Sequence, residues 1–252
     1  MDSSRFSADR LNRIAEMERW HFWFVGRQSV IDRVWLQFVD DECDVLDIGC
    51  GTGYTSHRLI KRGCRVVSMD IRPEGLLTMR RQIAAARPVQ AAAPTLPFSS
   101  DVFDVVVTLD VLEHVDDRAT LGEVMRVLHP GGWLIATVPA LPWLWSYRDD
   151  AAGHLRRYTH NSLRQRLVEA GFSIRAMRYY QSLLLPPLIL SRLLGRRGPA
   201  LRDLEDRPSP GLNTVMSVVN RLEIKLGKWI NWPLGSSLIA VCQKQPKKSY
   251  SR

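Results

Sequence analysis

The chain has 252 residues, of which 45% are hydrophobic and 24% are charged. These values exclude a chain that is disordered over most of its length. Its 35 Lys and Arg residues against 26 Asp and Glu residues leave a net charge of +9. That charge suits an anionic partner such as a nucleic acid, a phospholipid surface or a phosphorylated substrate, and it equally suits a basic tail that only aids solubility.

The four cysteines and six histidines show neither disulfide nor metal-ligand spacing. We therefore expect a reducing, cytoplasmic compartment and no metal site. The N-terminus lacks the apolar region of a signal peptide, and no stretch reaches the roughly 18 apolar residues that span a bilayer. The expectation is a protein that is soluble or peripherally attached to a membrane.

From about residue 44 to 180, short β-branched runs alternate with helical stretches, which is typical of βαβ units. In chain order, strands are predicted at Asp44–Ile48, Arg65–Met69, Val89–Ala93, Phe103–Leu109, Trp133–Val138, Phe172–Tyr180 and Ser237–Gln243. Helices are predicted at Tyr54–Lys61, Pro73–Ala86, Leu121–Leu128 and Thr159–Ala170, with a turn at His129–Gly132. The pattern predicts an α/β fold with a doubly wound, mostly parallel sheet of seven strands.

Four regions follow from these elements. Residues 1–40 form an aromatic-rich N-terminal helical lid, residues 41–180 the α/β core, residues 181–236 a helical insert, and residues 237–252 the last strand with a basic tail. The insert has an apolar stripe at helical spacing, which fits either packing against the core or a substrate- or membrane-facing surface. The stripe consists of Leu212, Val215, Val219, Leu222, Leu226 and Ile230. The apolar-then-basic run at 182–197 likewise fits an anionic membrane or a hydrophobic substrate tunnel.

A trio of glycines carries the strongest chemical signal. Gly49, Gly51 and Gly53 directly follow the first predicted strand and precede a helix, where glycine permits a tight turn and close approach of a ligand. A dinucleotide fingerprint would need glycine at position 54, which is Tyr54. Asp70 ends the second predicted strand, where a carboxylate can accept hydrogen bonds from ribose hydroxyls or can cap the next helix. Together these residues predict a site for a nucleoside cofactor with a small anionic group.

Five segments resemble one family in their order and spacing: VLDIGCGTG, MDI, LPFSSDVFDVVV, LDVLEHV and VMRVLHPGGWLIATVP. They run from Val45 to Pro139, over a third of the chain. On these segments the chain resembles the class I S-adenosylmethionine-dependent methyltransferases, in the broad group that contains ubiquinone-biosynthesis and other small-molecule enzymes. The resemblance implies a Rossmann-like methyltransferase fold and S-adenosylmethionine as cofactor.

The resemblance also implies which residues hold that cofactor. Asp47 and the glycine loop would hold the methionine portion, Asp70 the ribose and Ile71 the adenine, while Asp110 and Val111 would lie beside the adenosine and the sulfonium. The implied set is Asp47, Gly49, Cys50, Gly51, Thr52, Gly53, Asp70, Ile71, Asp110 and Val111. Ala92 stands where the family often has an acidic residue near the adenine, so adenine recognition would fall to backbone groups.

Residues outside this core are candidates for substrate chemistry. Arg27 could bind the cofactor carboxylate or make an ordinary surface ion pair. His114 and His154 are candidate general bases, because histidine titrates near neutral pH. Arg156, Arg157 and Tyr158 are candidate substrate-binding residues in the loop after the fifth strand. HFWFVGR and LPWLWSYRDDAAGHLRRYT, which flank the core, resemble a bacterial subgroup linked with lipid or cell-surface glycan pathways.

The sequence thus predicts a methyltransferase that acts on a small-molecule acceptor, with lipid-like or lipid-linked molecules included and with peripheral membrane contact. Methylation of RNA is the second interpretation, which the basic charge permits, although the chain has no recognisable RNA-binding module. A non-catalytic cofactor-binding scaffold is the third, since a fold alone does not define an activity. The acceptor atom and the oligomeric state stay open.

Overall fold

The computed structural model describes residues 14–195 and 207–246. Its strands form one seven-stranded sheet in the order β3-β2-β1-β4-β5-β7-β6. The strands are β1 (Asp44–Ile48), β2 (Arg65–Asp70), β3 (Arg87–Gln90), β4 (Phe103–Leu109), β5 (Leu128–Pro139), β6 (Ser173–Tyr180) and β7 (Ser237–Gln243). The pairs among β1 to β5 are parallel, and β7 is antiparallel to both β5 and β6. The predicted seven-stranded, mostly parallel sheet is confirmed.

The centre of the sheet is apolar on both faces, as expected for a parallel sheet covered by helices. Leu46 of β1 and Val106 of β4 are buried in one hydrophobic core. Their neighbours Val45 and Val105 are buried in a second core. Because side chains alternate along a strand, the two cores lie on opposite faces of the sheet.

Eight labelled helices surround the sheet. They are α1 (Phe22–Phe38), α2 (Tyr54–Ile60), α3 (Pro73–Gln82), α4 (Asp117–Val127), α5 (Tyr147–Ala152), α6 (His160–Glu169), α7 (Leu185–Gly195) and α8 (Pro210–Leu226). Leu121 of α4 and Leu163 of α6 pack into the first core, while Trp35 of α1 and Leu59 of α2 pack into the second. In the described part of the chain, no helix is long and apolar enough to cross a membrane.

The predicted turn at His129–Gly132 is instead a bulge at the start of β5. Pairing with β4 passes from Phe103↔Leu128 directly to Val105↔Trp133, so the four intervening residues bulge out of the ladder. Proline and glycine in this stretch correctly signal a break in regular pairing, but the chain does not reverse there. The prediction of a chain reversal was therefore wrong, whereas the prediction of a break in regular structure was correct.

Several further boundaries differ from the prediction, among them the start of α4, both ends of β3 and the end of α3, which is Gln82 and not Ala86. Helix α4 begins at Asp117, four residues before the predicted start, because the side chain of Asp116 accepts hydrogen bonds from two N–H groups of its first turn. Strand β3 covers Arg87–Gln90 and so begins two residues before the predicted Val89. These differences all lie at element ends, which are the least regular part of a helix or strand.

The insert before β7 crosses α1 through polar contacts. The Asn220 amide of α8 donates to the Phe22 carbonyl at 2.8 Å, and the Phe22 N–H donates to the Asn213 side chain at 2.8 Å. Gly26 of α1 lets the helices approach, because a Cβ at that position would lie 2.5 Å from Asn220 Nδ2. The insert is thereby joined to the N-terminal helix.

The predicted apolar stripe of the insert is only partly covered. The two buried residues of α8 are the polar Asn220 and Glu223, whereas Val215 is 60% exposed and Leu222 is 49% exposed. Packing against the core was therefore the wrong interpretation for the most exposed members of the stripe. Residues 196–206, which include Arg196 and Arg197 of the predicted basic run, lie outside the described residues, as do residues 1–13 of the lid and 247–252 of the tail.

Candidate functional site

The glycine loop between β1 and α2 needs its glycines for both conformation and space. Gly49, Gly51 and Gly53 have φ angles of 69°, 54° and 81°, in the left-handed region that other residues rarely adopt. A Cβ on Gly49 would lie 2.4 Å from a methyl carbon of Val111, and one on Gly53 would lie 2.3 Å from Met79 Cε. The predicted loop therefore forms at the carboxyl end of β1, with the turn after β4 packed over it.

Asp70 holds this loop from the end of β2. Its Oδ2 accepts a hydrogen bond from the Gly51 N–H at 2.9 Å, and its Oδ1 accepts one from the Arg72 N–H at 2.9 Å. Arg72, not Asp70, is the N-cap of α3, so the capping alternative was wrong. An ionised carboxylate has about four acceptor positions, which leaves capacity for a hydroxyl donor. Ile71 beside it is 55% exposed at the same edge.

Two of the predicted cofactor residues are buried beneath the loop. Asp47 accepts a hydrogen bond from the Ser56 hydroxyl at 2.6 Å, which ties β1 to α2. Burial raises the pKa of Asp47 to about 7, because the charged form is desolvated there. Cys50 is buried with Leu76 and Met79 of α3 in a small apolar cluster. Both residues support the loop from inside.

Arg27 of α1 reaches the same edge of the sheet. Its Nη1 donates to Asp110 Oδ2 at 2.6 Å, and the two side chains are only 12% and 16% exposed, which excludes an ordinary surface ion pair. The guanidinium lies over the Trp23 ring at 4.9 Å from its centroid. Asp110 has a positive φ of 57°, and its Oδ1 accepts from the Thr137 hydroxyl at 3.2 Å. The N-terminal helix thus brings a cation beside the turn after β4.

Glu18 is a site residue that the sequence prediction missed. It is buried, and its carboxylate accepts a hydrogen bond from the Thr52 hydroxyl of the glycine loop. Burial raises the pKa of Glu18, while the hydrogen bond from Thr52 and the charge of Arg27 oppose that rise. Glu18 stands in a charged segment whose pattern is that of a solvated helix, so nothing in the sequence signals its position.

Three titratable side chains meet near the carboxyl end of β4. Glu113 and His114 come from the turn after this strand, and His154 follows α5. The two imidazole rings meet edge-on with their centroids 4.8 Å apart. His154 Nε2 lies 3.9 Å from Glu113 Oε1. The two histidines were predicted as candidate bases, whereas Glu113 was missed.

Asp149 fixes the orientation of His154. Its Oδ1 lies 2.8 Å from His154 Nδ1 and accepts from Arg157 Nε at 2.6 Å, and its Oδ2 accepts from the Ser146 N–H at 2.8 Å. Burial alone would raise the pKa of Asp149, but these hydrogen bonds and the Arg157 charge hold it well below its usual value. Because an ionised carboxylate only accepts, the hydrogen of His154 lies on Nδ1. The other ring nitrogen, Nε2, lies on the side of Glu113.

Glu113 is fully buried, and among the described residues neither of its carboxylate oxygens has a hydrogen-bond partner. Burial raises its pKa well above the usual value, and the negative charge of Asp110 adds to that rise. The Glu113 carbonyl accepts from the Leu155 N–H at 2.7 Å, which joins the turn after β4 to the segment carrying His154. Forty residues separate the two histidines in sequence, so spacing could not reveal the cluster.

The three predicted substrate-binding residues have partners within the protein. Arg157 is held by Asp149, as described above. The buried Tyr158 hydroxyl lies 2.9 Å from Asp117, and Arg156 forms an ion pair with the same carboxylate at 3.0 Å. Of the three, Arg156 is the most accessible, with 34% of its side chain exposed. Substrate binding stays a prediction for them, and the contacts present here order the loop around His154.

Comparisons with known proteins find a methyltransferase domain in the chain. A family profile described as a methyltransferase domain matches residues 46–136. An uncharacterised methyltransferase of Mycobacterium tuberculosis is 27% identical over 195 residues, which are 77% of this chain and 61% of the relative. A probable S-adenosylmethionine-dependent methyltransferase of the same organism is 29% identical over 165 residues, 63% of this chain and 58% of the relative. The chain thus spans about three fifths of the length of these relatives.

A solved structure extends the likeness to nearly the whole chain. Phosphoethanolamine N-methyltransferase 2 of Haemonchus contortus, in complex with S-adenosyl-L-methionine, superposes with a TM-score of 0.63 at 16% identity. The superposition covers 98% of this chain and 59% of that one. At this identity the likeness concerns the fold alone, including its α/β core and the elements around it.

Proposed function

We propose that the chain, whose residues 46–136 match a methyltransferase-domain profile, transfers the methyl group of S-adenosylmethionine to a small-molecule acceptor of lipid-like or lipid-linked kind. The observation that carries the methyl-transfer part is the loop Gly49–Gly53, whose backbone is held by Asp70 and faced by the Arg27–Asp110 ion pair. This arrangement offers the charges and the close backbone approach that a nucleoside cofactor with an amino-acid end requires.

The methionine end of the cofactor is a zwitterion and calls for one cationic and one anionic partner. Arg27 and Glu18 supply both charges beside the glycine loop. A guanidinium has five N–H donors, so the bond from Arg27 to Asp110 is compatible with a second bond to the cofactor carboxylate. Glu18, which the Arg27 charge favours in its ionised form, would accept from the cofactor ammonium.

The nucleoside end would extend toward the exposed edge of β2. Asp70 would accept hydrogen bonds from the ribose hydroxyls with the lone pairs that Gly51 and Arg72 do not use. The exposed Ile71 would cover one face of the adenine. Ala92 offers no side-chain acceptor to the adenine amino group, so we expect backbone groups to bind it.

The acceptor would bind at the cluster of Glu113, His114 and His154. Val111 packs over Gly49, so the turn that carries Glu113 and His114 lies against the proposed cofactor loop. The acceptor atom attacks the methyl carbon as the carbon–sulfur bond breaks, which leaves S-adenosylhomocysteine. Alignment in such a site is worth roughly 7–11 kcal/mol, and removal of the acceptor proton at the histidine cluster adds about 10²–10⁴-fold for a hydroxyl.

The exposed apolar residues of α8 support a lipid-like acceptor and contact with an anionic membrane. Val215 and Leu222 are exposed on a helix that also exposes Arg221 and Lys225, and the whole chain has a net charge of +9. An apolar strip beside cations is the combination that binds anionic bilayer surfaces. We expect sedimentation with vesicles of anionic phospholipid, and weaker sedimentation of the Leu222→Asp variant.

Val168→Asp is the matched control, because Val168 is an exposed apolar residue of α6. It should sediment with anionic vesicles like the unaltered protein. Equal sedimentation of the two variants, or no sedimentation of the unaltered protein, would remove the membrane part of the proposal. Vesicles of zwitterionic lipid distinguish charge from apolar insertion.

RNA methylation is the alternative that the net charge of +9 keeps open. A salt-sensitive gel shift with transfer RNA would favour it over a lipid-like acceptor, since phosphate contacts weaken steeply with salt. A non-catalytic scaffold is the other alternative, because the same fold can carry different functions. Methyl transfer to any acceptor would exclude the scaffold.

Calorimetric binding tests the cofactor part first. The protein is titrated with S-adenosylmethionine, S-adenosylhomocysteine and, as control ligand, NAD. We expect both sulfur compounds to bind and NAD not to bind. Asp70→Ala should lose most of the affinity, while Asp41→Ala, an exposed aspartate in the bend before β1, should bind like the unaltered protein. Tight binding of NAD, or no binding of either sulfur compound, would contradict the proposal.

A further inference from the structure

The histidine cluster leaves one feature of the molecule without a physical reason. Glu113 is fully buried, and among the described residues its two oxygens have no hydrogen-bond partner. His154 Nε2 lies 3.9 Å from an oxygen of the same carboxylate, which is too long for a hydrogen bond. A buried carboxyl group and an imidazole nitrogen that face each other without a hydrogen bond are both unsatisfied, and either a proton or a metal cation between them would satisfy both.

We infer that Glu113, His114 and His154 bind one divalent transition-metal cation. Each residue offers one ligand atom, and these three atoms lie within 4.8 Å of one another. Metal–ligand bonds of about 2.0–2.2 Å place two ligands of one tetrahedral ion roughly 3.3–3.6 Å apart. The widest pair of ligand atoms must therefore close by about 1 Å when the ion binds. The ion would satisfy Glu113 and separate it from the His154 lone pair.

Asp149 is the second independent observation for this site. A metal-binding histidine commonly donates its other ring N–H to a carboxylate, which fixes the ring and strengthens the ligand nitrogen. His154 has this arrangement, with Nδ1 2.8 Å from Asp149 Oδ1. Asp149 is in turn held by Arg157 and by the Ser146 N–H. Asp149 and the groups that hold it therefore fix the His154 ring as the second-layer residues of a metal site fix a ligand histidine.

The ligand set selects the kind of ion. Two imidazole nitrogens and one carboxylate suit zinc, cobalt, manganese or iron, whereas calcium and magnesium prefer sets of oxygen ligands. Three protein ligands leave at least one coordination position open, which is typical of catalytic and not of structural sites. The open position can take an oxygen atom of a second molecule.

On the basis of the proposed function, this position identifies the acceptor as a hydroxyl compound. A divalent cation lowers the pKa of a coordinated hydroxyl, as it does for water. The hydroxyl proton then leaves to solvent, the oxygen forms a bond to the methyl carbon, and the carbon–sulfur bond breaks. His154 acts here as a metal ligand, so its ring does not need to take up the proton.

The test is cobalt binding to protein that was stripped with a chelator and freed of any histidine tag. Cobalt bound by nitrogen and oxygen ligands absorbs visible light, so binding is measured without an activity assay. We expect one equivalent to bind to the unaltered protein. Glu113→Gln and His154→Asn should each bind at least about tenfold more weakly. His160→Asn, a histidine of α6 outside the cluster, should bind as the unaltered protein does.

X-ray absorption of the zinc-loaded, unaltered protein gives a result that does not depend on variants that fold poorly. We expect two imidazole ligands in its spectrum. Absence of stoichiometric cobalt binding, equal binding by the cluster variants, or a zinc spectrum without two imidazoles would overturn the inference. Calorimetry with S-adenosylhomocysteine on the same samples separates the two proposals. If that ligand binds and cobalt does not, only the metal site fails; if cobalt binds and that ligand does not, the cofactor proposal fails.

Discussion

Gly26 lies where α1 crosses α8, and this contact decides whether its replacement by alanine raises or lowers the free energy of unfolding. Replacement of Gly26 by alanine would place a Cβ 2.5 Å from Asn220 Nδ2 and 2.9 Å from Asn220 Cγ. Real Cβ atoms do not approach so closely, so either Asn220 rotates or the helices separate. In both cases the hydrogen bond from Asn220 to the Phe22 carbonyl, now 2.8 Å long, is lost.

The magnitude follows from two opposing effects. Loss of this hydrogen bond leaves a buried donor and a backbone acceptor unsatisfied, which costs about 1–3 kcal/mol. A strained Asn220 rotamer adds roughly 0.5–1.5 kcal/mol. Alanine in place of glycine in a helix interior returns about 1 kcal/mol. We therefore expect Gly26→Ala to lower the free energy of unfolding by roughly 0.5–3.5 kcal/mol.

Gly122→Ala is the matched control with the opposite sign. Gly122 lies inside α4, and a Cβ there would meet no heavy atom within 4 Å. The same substitution should stabilise the protein by up to about 1 kcal/mol. Urea denaturation curves of the two variants and the unaltered protein measure both effects.

The Gly26 variant should also bind S-adenosylhomocysteine more weakly, since Arg27 is the next residue of α1 and pairs with Asp110 at 2.6 Å. Asn220→Ala combined with Gly26→Ala removes the steric conflict. The double variant should therefore lose less stability than the sum of the single variants. Stabilisation by Gly26→Ala similar to that by Gly122→Ala would refute the close crossing described above.

Three further predictions concern the site. Gly49→Ala should weaken cofactor binding at least tenfold by calorimetry, because the added Cβ would lie 2.4 Å from a Val111 methyl carbon and φ is 69°; unchanged affinity would contradict the loop geometry. Tyr158→Phe should lower the free energy of unfolding by about 1–3 kcal/mol through loss of its bond to Asp117 while leaving cofactor affinity unchanged; unchanged stability would argue for a role outside the fold. Burial raises the pKa of Asp47 to about 7, so its protonated form stabilises the fold below pH 4, and this contribution is lost as the pH rises to about 7. The Asp47→Asn variant lacks this titration, so the free energy of unfolding of the unaltered protein should fall relative to that of the variant between about pH 4 and pH 7. Parallel pH dependences of the two proteins would contradict this prediction.

The strands at the centre of the sheet could be predicted because their apolar sequences are compatible with few other structures. The predicted bounds of β1, β4 and β7 coincide with those observed. In β4, FDVVVTL is apolar at almost every position, and only a strand covered on both faces buries such a run. The glycine loop was predictable for a related reason, since positive φ angles at three alternate residues require glycine.

The face of α8 could not be predicted from its spacing. The apolar positions three or four residues apart indicate a helix, and the helix is present. Its orientation depends on α1, where Gly26 opens a gap that a polar side chain fills by bonding to the Phe22 carbonyl. A specific hydrogen bond between residues 198 positions apart leaves no mark in local periodicity.

The histidine cluster shows how far general topology can go without coordinates. His114 and His154 follow β4 and β5, neighbouring parallel strands, and the carboxyl ends of such strands share one edge of the sheet. Topology therefore predicts that the two histidines lie on the same side of the molecule. It does not predict that Glu113 turns inward between them, because a buried carboxylate without a partner violates the ordinary rule for charged residues. Positions where a chain breaks such rules are frequently functional, and the unpartnered Glu113 beside an oriented His154 is therefore the strongest local argument that the cluster binds something.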